Sequence, residues 1–216
     1  MPRLLRTAGL AAIALLASFA PPTPAPAVAS APPARGAFPN PEVVTQDGRR
    51  VRFYDDLVKG RTVMIDFAYT RCNGRCPAAI ARLVQVQHAL GERFGKDVTM
   101  VTVSLDPEND TPEAARRYVG ASHGLPGWTY VTGARDDLEA LRHFLGFYDR
   151  RPEVDRDKSQ HATLVAIGSE ARHRWITIPG LLPAAEIVQV VNRVQGLAPG
   201  GPPPPNRADL AAVTPR

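Results

Sequence analysis

An apolar strand, a turn that carries two cysteines and the start of a helix follow one another between residues 62 and 95. The run 62–67 is almost continuously apolar, which is typical of a strand that is buried on both faces of its sheet. Cys72 and Cys76, the two cysteines of the chain, follow it. Pro77 suits the first helical position, and apolar residues then recur at helical spacing until Gly95, the expected helix end. The pattern predicts two sulfurs at the carboxyl end of a buried strand.

Strands and helices alternate along the rest of the central region. A hairpin with an Asp-Gly turn is expected first, and the order β-α-β-α-β-α-β-β-α follows it. The hairpin is expected at 42–53, and the later strands at 98–105, 128–131, 162–167 and 173–178, with the last two joined at Gly168-Ser169. The later helices are expected at 112–119, 136–145 and 183–194, and a charged loop at 151–160. This alternation predicts an α/β fold, a central mixed sheet flanked by helices with an antiparallel pair at one edge. Ligand sites in such sheets favour the carboxyl ends of the strands.

The 22 prolines divide the chain, because they cluster near both ends. We expect a signal segment at 1–29, a Pro/Ala linker at 30–37, one globular domain at 38–195 and a disordered Gly/Pro-rich tail at 196–216. The central region has ordinary globular composition and is long enough to bury one sizeable core.

The first residues have the pattern of an export signal. Arg3 and Arg6 precede the apolar run 10–20, and Ala27-Val28-Ala29 supplies the small residues of a cleavage site. The apolar run is shorter than the roughly 20 residues of a membrane span. We therefore expect an exported, periplasmic protein, with an uncleaved N-terminal membrane anchor as the alternative.

The formal net charge is +5, and it would fall to +3 if the two arginines of the signal segment were removed. The basic residues form neither blocks nor a stripe with interleaved aromatic residues. The sequence therefore gives no support for nucleic-acid binding.

The close spacing of the cysteines indicates a role in disulfide exchange or metal binding more than a structural crosslink. A bridge between Cys72 and Cys76 would close a loop of five residues, and a loop that small contributes only about 2 kcal/mol. Cys76 immediately precedes a predicted helix, and Arg71 and Arg75 add positive charge nearby, so a thiolate is favoured. A thiolate serves disulfide exchange and metal binding equally well, and the turn alone does not choose between them.

Among the five histidines, His161 stands out as a candidate metal ligand. His88 and His143 fall within predicted helices, whereas His123 and His173 fall at predicted surface positions. His161 lies where the charged loop meets a buried strand, a junction that can face the cysteine turn in an α/β sheet.

Three segments together resemble the Sco (SenC/PrrC) family over about residues 38–195. They are Phe-Ala-Tyr-Thr-Arg-Cys-Asn-Gly-Arg-Cys-Pro at 67–77, Val-Ser-Leu-Asp-Pro-Glu-Asn-Asp-Thr-Pro-Glu at 103–113, and His161 before an apolar strand. The resemblance implies a thioredoxin-like fold and an exported copper metallochaperone for a respiratory copper centre, of the cytochrome c oxidase assembly type. It also implies that Cys72, Cys76 and His161 bind copper, since thiolates with one imidazole suit Cu(I), and Cu(II) more weakly.

The same resemblance implies partners and a redox role. The expected partners are a copper-accepting respiratory enzyme subunit and a thiol reductant, because Cys72 and Cys76 must be reduced before they bind metal. The protein is then a carrier more than an enzyme, with reduction of the target's cysteines by this redox-active dithiol as a secondary activity.

This chain departs from the family pattern at two positions. Gln160 stands where many relatives have Asp before the histidine, and Asn73 stands where a Pro often follows the first cysteine. The first change puts carboxylate assistance to Cu(II) at that position in doubt. Asp106 is an auxiliary candidate because it ends a core strand, although capping of the Pro107 turn explains it equally well.

Two other functions use the same residues. A periplasmic thiol:disulfide oxidoreductase or thiol peroxidase needs the dithiol alone. The C-x-x-x-C spacing, and the absence of a proline in the segment 158–161, argue against the thioredoxin version. A redox or copper sensor is the other alternative, and the sequence offers no output domain for it.

Overall fold

The computed structural model of the protein describes residues 37–74, 76–121 and 126–197. The expected signal segment 1–29, the linker except Ala37, and the tail from residue 198 onward lie outside these residues, as do Arg75 and His123. Within the described ranges, no helix is both long enough and apolar enough to cross a membrane.

The strands of the described residues form one mixed sheet. They are β1 (Glu42–Thr45), β2 (Arg50–Arg52), β3 (Thr62–Ala68), β4 (Val98–Ser104), β5 (Trp128–Gly133), β6 (Leu164–Ser169) and β7 (Arg174–Pro179). Their order across the sheet is β2-β1-β5-β4-β3-β6-β7. Strands β3, β4 and β5 are parallel, whereas β1 and β2 pair as an antiparallel hairpin and β6 and β7 form an antiparallel edge. The predicted mixed sheet and N-terminal hairpin are confirmed.

Helices cover both faces of the sheet. They are α1 (Cys76–Leu90), α2 (Pro112–Ala121), α3 (Arg135–Phe144), α4 (Pro152–Asp155) and α5 (Ala184–Val194). Side chains of α1 and α5 pack with Met64 and Met100 on one face of the sheet. Leu138 and Leu141 of α3 pack on the other face.

Strand β3 lies in the centre of the sheet, and all of its residues are buried, as its apolar sequence predicted. Val63, Ile65 and Phe67 belong to the α3 side of the core, and Met64 belongs to the α1 side. Because side chains alternate along a strand, Asp66 also points to the α1 side. The strand thus places a carboxylate in the layer beneath the cysteine turn.

The first long helix ends earlier than the sequence predicted. Helix α1 stops at Leu90, and a 3₁₀ turn (Gly91–Arg93) follows it. Gly91 has a φ of 55°, a left-handed conformation that glycine adopts at little cost and that interrupts a helix. The apolar Phe94, which continued the helical spacing, packs into the core from beyond the helix.

Two predicted connections are wrong in detail. The turn between β6 and β7 is not at Gly168-Ser169, because these residues continue β6, and a 3₁₀ turn (Glu170–Arg172) with His173 in a left-handed conformation joins the strands. The charged loop 151–160 is not irregular throughout, since it contains α4 and a 3₁₀ turn (Lys158–Gln160). Pro152 at the start of α4 explains the extra helix, because its fixed φ favours a first helical position.

Candidate metal and thiol site

Cys72 and Cys76 lie on the turn between β3 and α1, at the sheet edge that the sequence predicted. Cys76 is the first residue of α1, one position further into the helix than expected, and it is 3% exposed. Cys72 is half-buried. The two sulfurs form a disulfide, with the Cα atoms 6.0 Å apart. Cys72 is thus the more accessible of the two cysteines.

The turn is anchored by Asp110, a fully buried residue from the loop after β4. Its Oδ1 atom accepts hydrogen bonds from the backbone N–H of Thr70 at 2.9 Å and from the Thr70 hydroxyl at 2.7 Å. Its Oδ2 atom accepts from the hydroxyls of Ser104 at 2.6 Å and Tyr130 at 2.8 Å. Asp110 therefore ties the cysteine turn to β4 and β5. Thr111 caps α2, since its hydroxyl accepts from the N–H of Ala114.

His161 faces the cysteine turn, as the topology predicted. Its Nε2 atom lies 3.7 Å from the Sγ atom of Cys76. Its Nδ1 atom lies 2.6 Å from the backbone carbonyl of Lys158. A carbonyl only accepts hydrogen bonds, so Nδ1 carries a proton. In the neutral imidazole, Nε2 then carries the lone pair and faces Cys76. The ring of Tyr69 meets the His161 ring edge-on, with the centroids 6.0 Å apart.

Lys158 joins the His161 segment to the end of β4. While its carbonyl accepts from His161, its Nζ atom lies 2.6 Å from Oδ1 of Asp106. The side-chain amide of Asn109 donates to both oxygens of Asp106, at 3.1 and 3.0 Å. Asp106 is thus occupied by Lys158 and Asn109 in this structure, and its assistance to a metal stays a prediction.

The pKa of Asp106 reflects these contacts. Burial alone would raise it, but the hydrogen bonds from Lys158 and Asn109 and the positive charges of Lys158 and Arg135 outweigh burial, so the pKa lies below its ordinary value. Asp106 is therefore a carboxylate at neutral pH, and it holds Lys158 as an ion pair.

A known protein family matches most of this chain. The model of the family described as SCO1/SenC matches residues 32–196, which include both cysteines and His161. The chain belongs to the SCO1/SenC family. The membership agrees with the resemblance carried by the three sequence segments.

Curated relatives in this family are distant in sequence. A SCO1 protein homolog of Bacillus subtilis is 27% identical over 132 residues, which cover 59% of this chain and 66% of the relative. The mitochondrial SCO1 homolog 1 of Arabidopsis thaliana is 29% identical over 116 residues, which cover 53% of this chain and 34% of the relative. The matched region is thus less than two thirds of the length of either SCO1/SenC relative.

Solved structures of family members share the fold. Bradyrhizobium japonicum ScoI with copper bound superposes with a TM-score of 0.57 at 23% identity, covering 71% of this chain and 96% of that one. BsSco, described as a member of the Sco family of cytochrome c oxidase assembly proteins with a disulfide switch, gives 0.59 at 22% identity, covering 77% and 97%. These likenesses confirm the thioredoxin-like fold of this SCO1/SenC chain.

The donor chemistry of the site suits a soft metal ion once the disulfide is reduced. Two thiolates and one imidazole favour Cu(I), and the Nδ1 hydrogen bond to Lys158 is the outer-shell contact that fixes a ligating histidine. With the disulfide closed, no three His, Cys, Asp or Glu side chains of the described residues are grouped to hold a metal ion. Metal binding by Cys72, Cys76 and His161 in this SCO1/SenC chain therefore stays a prediction, and it requires that the disulfide is reduced first.

The other described histidines lie away from this site. His88 and His173 are exposed on α1 and on the turn before β7. His143 is exposed on α3, where it stacks on Tyr148, with ring centroids 5.0 Å apart. None of these three lines the small cavity beside Cys76 that His161 lines.

The sequence interpretation missed three residues that shape the site: Asp66, Asp110 and Lys158. Asp66 carried a usable signal, because a lone carboxylate within an apolar strand is costly to bury and needs a reason. Asp110 and Lys158 carried weaker signals. Each lies in a polar segment whose contacts form only when distant parts of the chain meet.

Replacing Lys158 with methionine is expected to lower the free energy of unfolding at pH 7 by about 1–3 kcal/mol, because the buried Asp106 would lose its cationic partner. The matched change Lys96→Met breaks an exposed pair with Glu92 and is expected to cost less than about 0.5 kcal/mol. Urea denaturation of both variants measures the difference.

The pH dependence of this difference gives a second test. The folded-state pKa of Asp106 is depressed, so the stabilisation is present above the unfolded pKa of about 3.9 and is lost as the pH falls through the folded value. Wild type and Lys158→Met should therefore converge in acid. A constant difference down to the acid end would contradict the ion pair.

Proposed function

We propose that this SCO1/SenC protein is a copper-binding carrier in which Cys72, Cys76 and His161 bind one copper ion after the disulfide is reduced. The observation that carries the proposal is the approach of His161 Nε2 to 3.7 Å from Cys76 Sγ, with Nδ1 fixed on the Lys158 carbonyl. A histidine held in this tautomer is prepared to donate its Nε2 lone pair to a metal at the sulfurs. The copper bound to the family member ScoI supports copper as that metal.

Copper loading is coupled to the thiol redox state. The thiolate is the metal ligand, and the closed disulfide offers none, so a thiol reductant must act first. Reduction yields two soft donors beside one imidazole, a set that favours Cu(I) and holds Cu(II) more weakly.

Delivery to a respiratory copper enzyme of the cytochrome c oxidase type is the proposed role. BsSco, a member of a family of cytochrome c oxidase assembly proteins, supports it. The export pattern of residues 1–29 and a Bacillus anthracis family member described as a lipoprotein support a location outside the cytoplasmic membrane, either in the periplasm or anchored at its surface. The domain 38–195 would carry the site, joined to the export segment by the linker 30–37.

Anaerobic titration of the reduced protein with Cu(I), followed by X-ray absorption, tests this proposal. We expect one Cu(I) per chain with two sulfur ligands and one nitrogen ligand, and we expect the oxidised protein to bind Cu(I) weakly. Sulfur-only ligation would remove His161 from the site. Equal binding by the oxidised and reduced forms would contradict the dependence on thiolates.

A second candidate function is thiol:disulfide exchange with a partner protein. The half-buried Cys72 and the buried Cys76 favour it, because one sulfur is open to attack while the other is sheltered as the leaving group. Such exchange also fits the carrier, since reduction of a client's cysteines prepares them to receive copper. Rapid turnover of disulfide substrates combined with weak copper binding would make exchange the primary function.

A further inference from the structure

A nearly buried arginine on α3 holds the segment of the chain that leads to His161. Arg142 is 7% exposed. Its Nη1 atom donates to Oδ1 of Asp155 at 2.6 Å, and its Nη2 atom donates to Oδ2 at 2.8 Å, so the two side chains form a bidentate ion pair. Nη1 also donates to the backbone carbonyl of Phe147 at 2.7 Å. The guanidinium thus contacts both ends of the segment 147–155.

The same segment is tied to β3 and to itself. The ring of Phe147 packs against the ring of Phe67, with the centroids 4.7 Å apart. Phe67 lies near the end of β3, the strand that leads into the cysteine turn. Oδ1 of Asp155 also accepts from the backbone N–H of Asp149 at 2.9 Å. The start of the segment is therefore fixed to β3, and its end is fixed to α3.

The chain between Asp155 and His161 is a succession of turns. Asp155 is the last residue of α4, and the N–H of Asp157 donates to the carbonyl of Val154 at 3.1 Å. The side chain of Asp157 then caps the 3₁₀ turn (Lys158–Gln160), which ends next to His161. Because these turns follow one another directly, a displacement of α4 is passed on to His161.

We propose that the Arg142–Asp155 pair positions His161 opposite the cysteine turn, so that Arg142 and Asp155 are positioning residues of the metal site. The inference rests on the proposed copper function, because it concerns how His161 is held for a metal. Both residues act through the segment, since neither lines the small cavity that Cys76 and His161 share. Both line a larger cleft, which His161 also borders.

A buried ion pair is better suited to fixing geometry than to adding stability. It gains little free energy over an apolar contact of the same size, but it restricts how the two elements that carry it can meet. The planar guanidinium fits a carboxylate in a fixed orientation, so the pair sets the place of α4 on α3. The hydrogen bonds from Arg142 lower the pKa of Asp155 to about 2, although burial acts to raise it, so the pair stays ionised at neutral pH.

Glu139 provides a matched control for Asp155. Its Oε2 atom accepts from the same guanidinium, at 2.9 Å from Nε and 2.7 Å from Nη2 of Arg142. Glu139 lies on α3, one turn before Arg142, and therefore makes no connection to the His161 segment. Asp155→Ala removes the connection between α3 and that segment, whereas Glu139→Ala removes a partner within the helix.

The contact between the rings of Tyr69 and His161 tests the positioning without copper. In the oxidised protein these rings meet edge-on at the cysteine turn, so a nuclear Overhauser effect between their protons reports the place of His161. We expect this signal in the wild type and in Glu139→Ala, and we expect it to weaken or disappear in Asp155→Ala. Asp155→Asn, which keeps the shape of the side chain, should show a smaller loss of the same kind, and it replaces the alanine variant if that variant does not fold.

Cu(I) affinity of the reduced variants links the positioning to metal binding. Asp155→Ala should weaken Cu(I) binding by about 10-fold, the lower end of the effect of losing an outer-shell partner of a ligand. The same change made together with His161→Ala should cause no further loss, because its effect acts through the imidazole. A general structural defect would lower the affinity equally in both backgrounds.

The two measurements separate failure of this inference from failure of the copper proposal. A wild-type protein that binds Cu(I) through sulfur alone would contradict the copper proposal, and the ring contact would still test the positioning. A ring contact in the Asp155 variants as strong as that in Glu139→Ala would overturn the inference. The pair of Lys158 with Asp106 would then be sufficient to hold the histidine.

Discussion

His161→Ala is expected to weaken Cu(I) binding by the reduced protein by at least about 100-fold. Loss of an outer-shell partner of a ligating histidine already costs roughly 10–100-fold in metal affinity, and removal of the imidazole itself takes away a direct ligand. The backbone of His161 also contacts Lys158, but alanine preserves that N–H, so the fold of the segment should persist. Competition with a Cu(I) chelator of known affinity, without oxygen, measures the change.

Exposed histidines elsewhere provide matched controls for this experiment. His88 lies on α1, the helix that begins with Cys76, but it is twelve positions along the helix, about 18 Å away at 1.5 Å per residue. His88→Ala should therefore leave Cu(I) affinity unchanged. If His161→Ala bound Cu(I) as tightly as His88→Ala, a two-sulfur site without His161 would be the correct description.

Local sequence patterns predicted the elements around the site because each pattern reflects burial of nearby residues. The apolar run of β3 placed it in the centre of the sheet, and the position of Pro77 marked the start of α1 to within one residue. His161 was predicted to face the cysteines because a loop–strand junction can face the cysteine turn in an α/β sheet. The amino end of β6 does lie beside the carboxyl end of β3, because these two strands are antiparallel. The contact with Cys76 agrees with that reasoning.

Contacts between polar loops were not predictable from the same patterns. Asp110 and Thr70 are 40 residues apart in sequence. Their hydrogen bonds depend on where β3 and β4 end relative to each other along the sheet. The left-handed φ of Gly91 likewise ended α1 early although the apolar spacing continued to Phe94. The spacing of apolar residues shows which face of a helix or strand is buried. It does not show where the backbone turns or which buried carboxylate accepts hydrogen bonds from distant residues.

The polar residues beneath the site divide into two kinds. Asp110 accepts from donors on three sides and acts as a fixed anchor, whereas Asp66 has one side-chain donor and borders a cavity. A carboxylate whose oxygens all accept hydrogen bonds fixes the positions of the residues that donate to it. A buried carboxylate with fewer hydrogen-bond donors can change its protonation state. The turn that carries Cys72 is therefore anchored by Asp110, whereas burial raises the pKa of Asp66 to about 7, so that this carboxyl can change its protonation near neutral pH.

Asp110→Ala is expected to lower the free energy of unfolding by about 3–5 kcal/mol. The change leaves the half-buried Thr70 N–H and the hydroxyls of Thr70 and Ser104 without their acceptor, whereas the Tyr130 hydroxyl keeps the Ala68 carbonyl as an alternative. Each unsatisfied buried donor costs about 1–3 kcal/mol before the surroundings relax. Asp137→Ala, at an exposed position on the first turn of α3, should cost less than about 1 kcal/mol. Urea denaturation at neutral pH compares the two variants.

The location of the damage distinguishes an anchor of the cysteine turn from a general loss of stability. If Asp110 holds the turn, the Thr70 amide in Asp110→Asn should exchange its hydrogen much faster than in the wild type, while the amide of Met64 in the centre of β3 exchanges as before. The asparagine retains one acceptor oxygen but cannot accept from donors at both ends, because its other end is itself a donor. Protection of the Thr70 amide equal to that of the wild type, or a stability loss no larger than that of Asp137→Ala, would show that the turn is held by its own backbone and the disulfide instead of by Asp110.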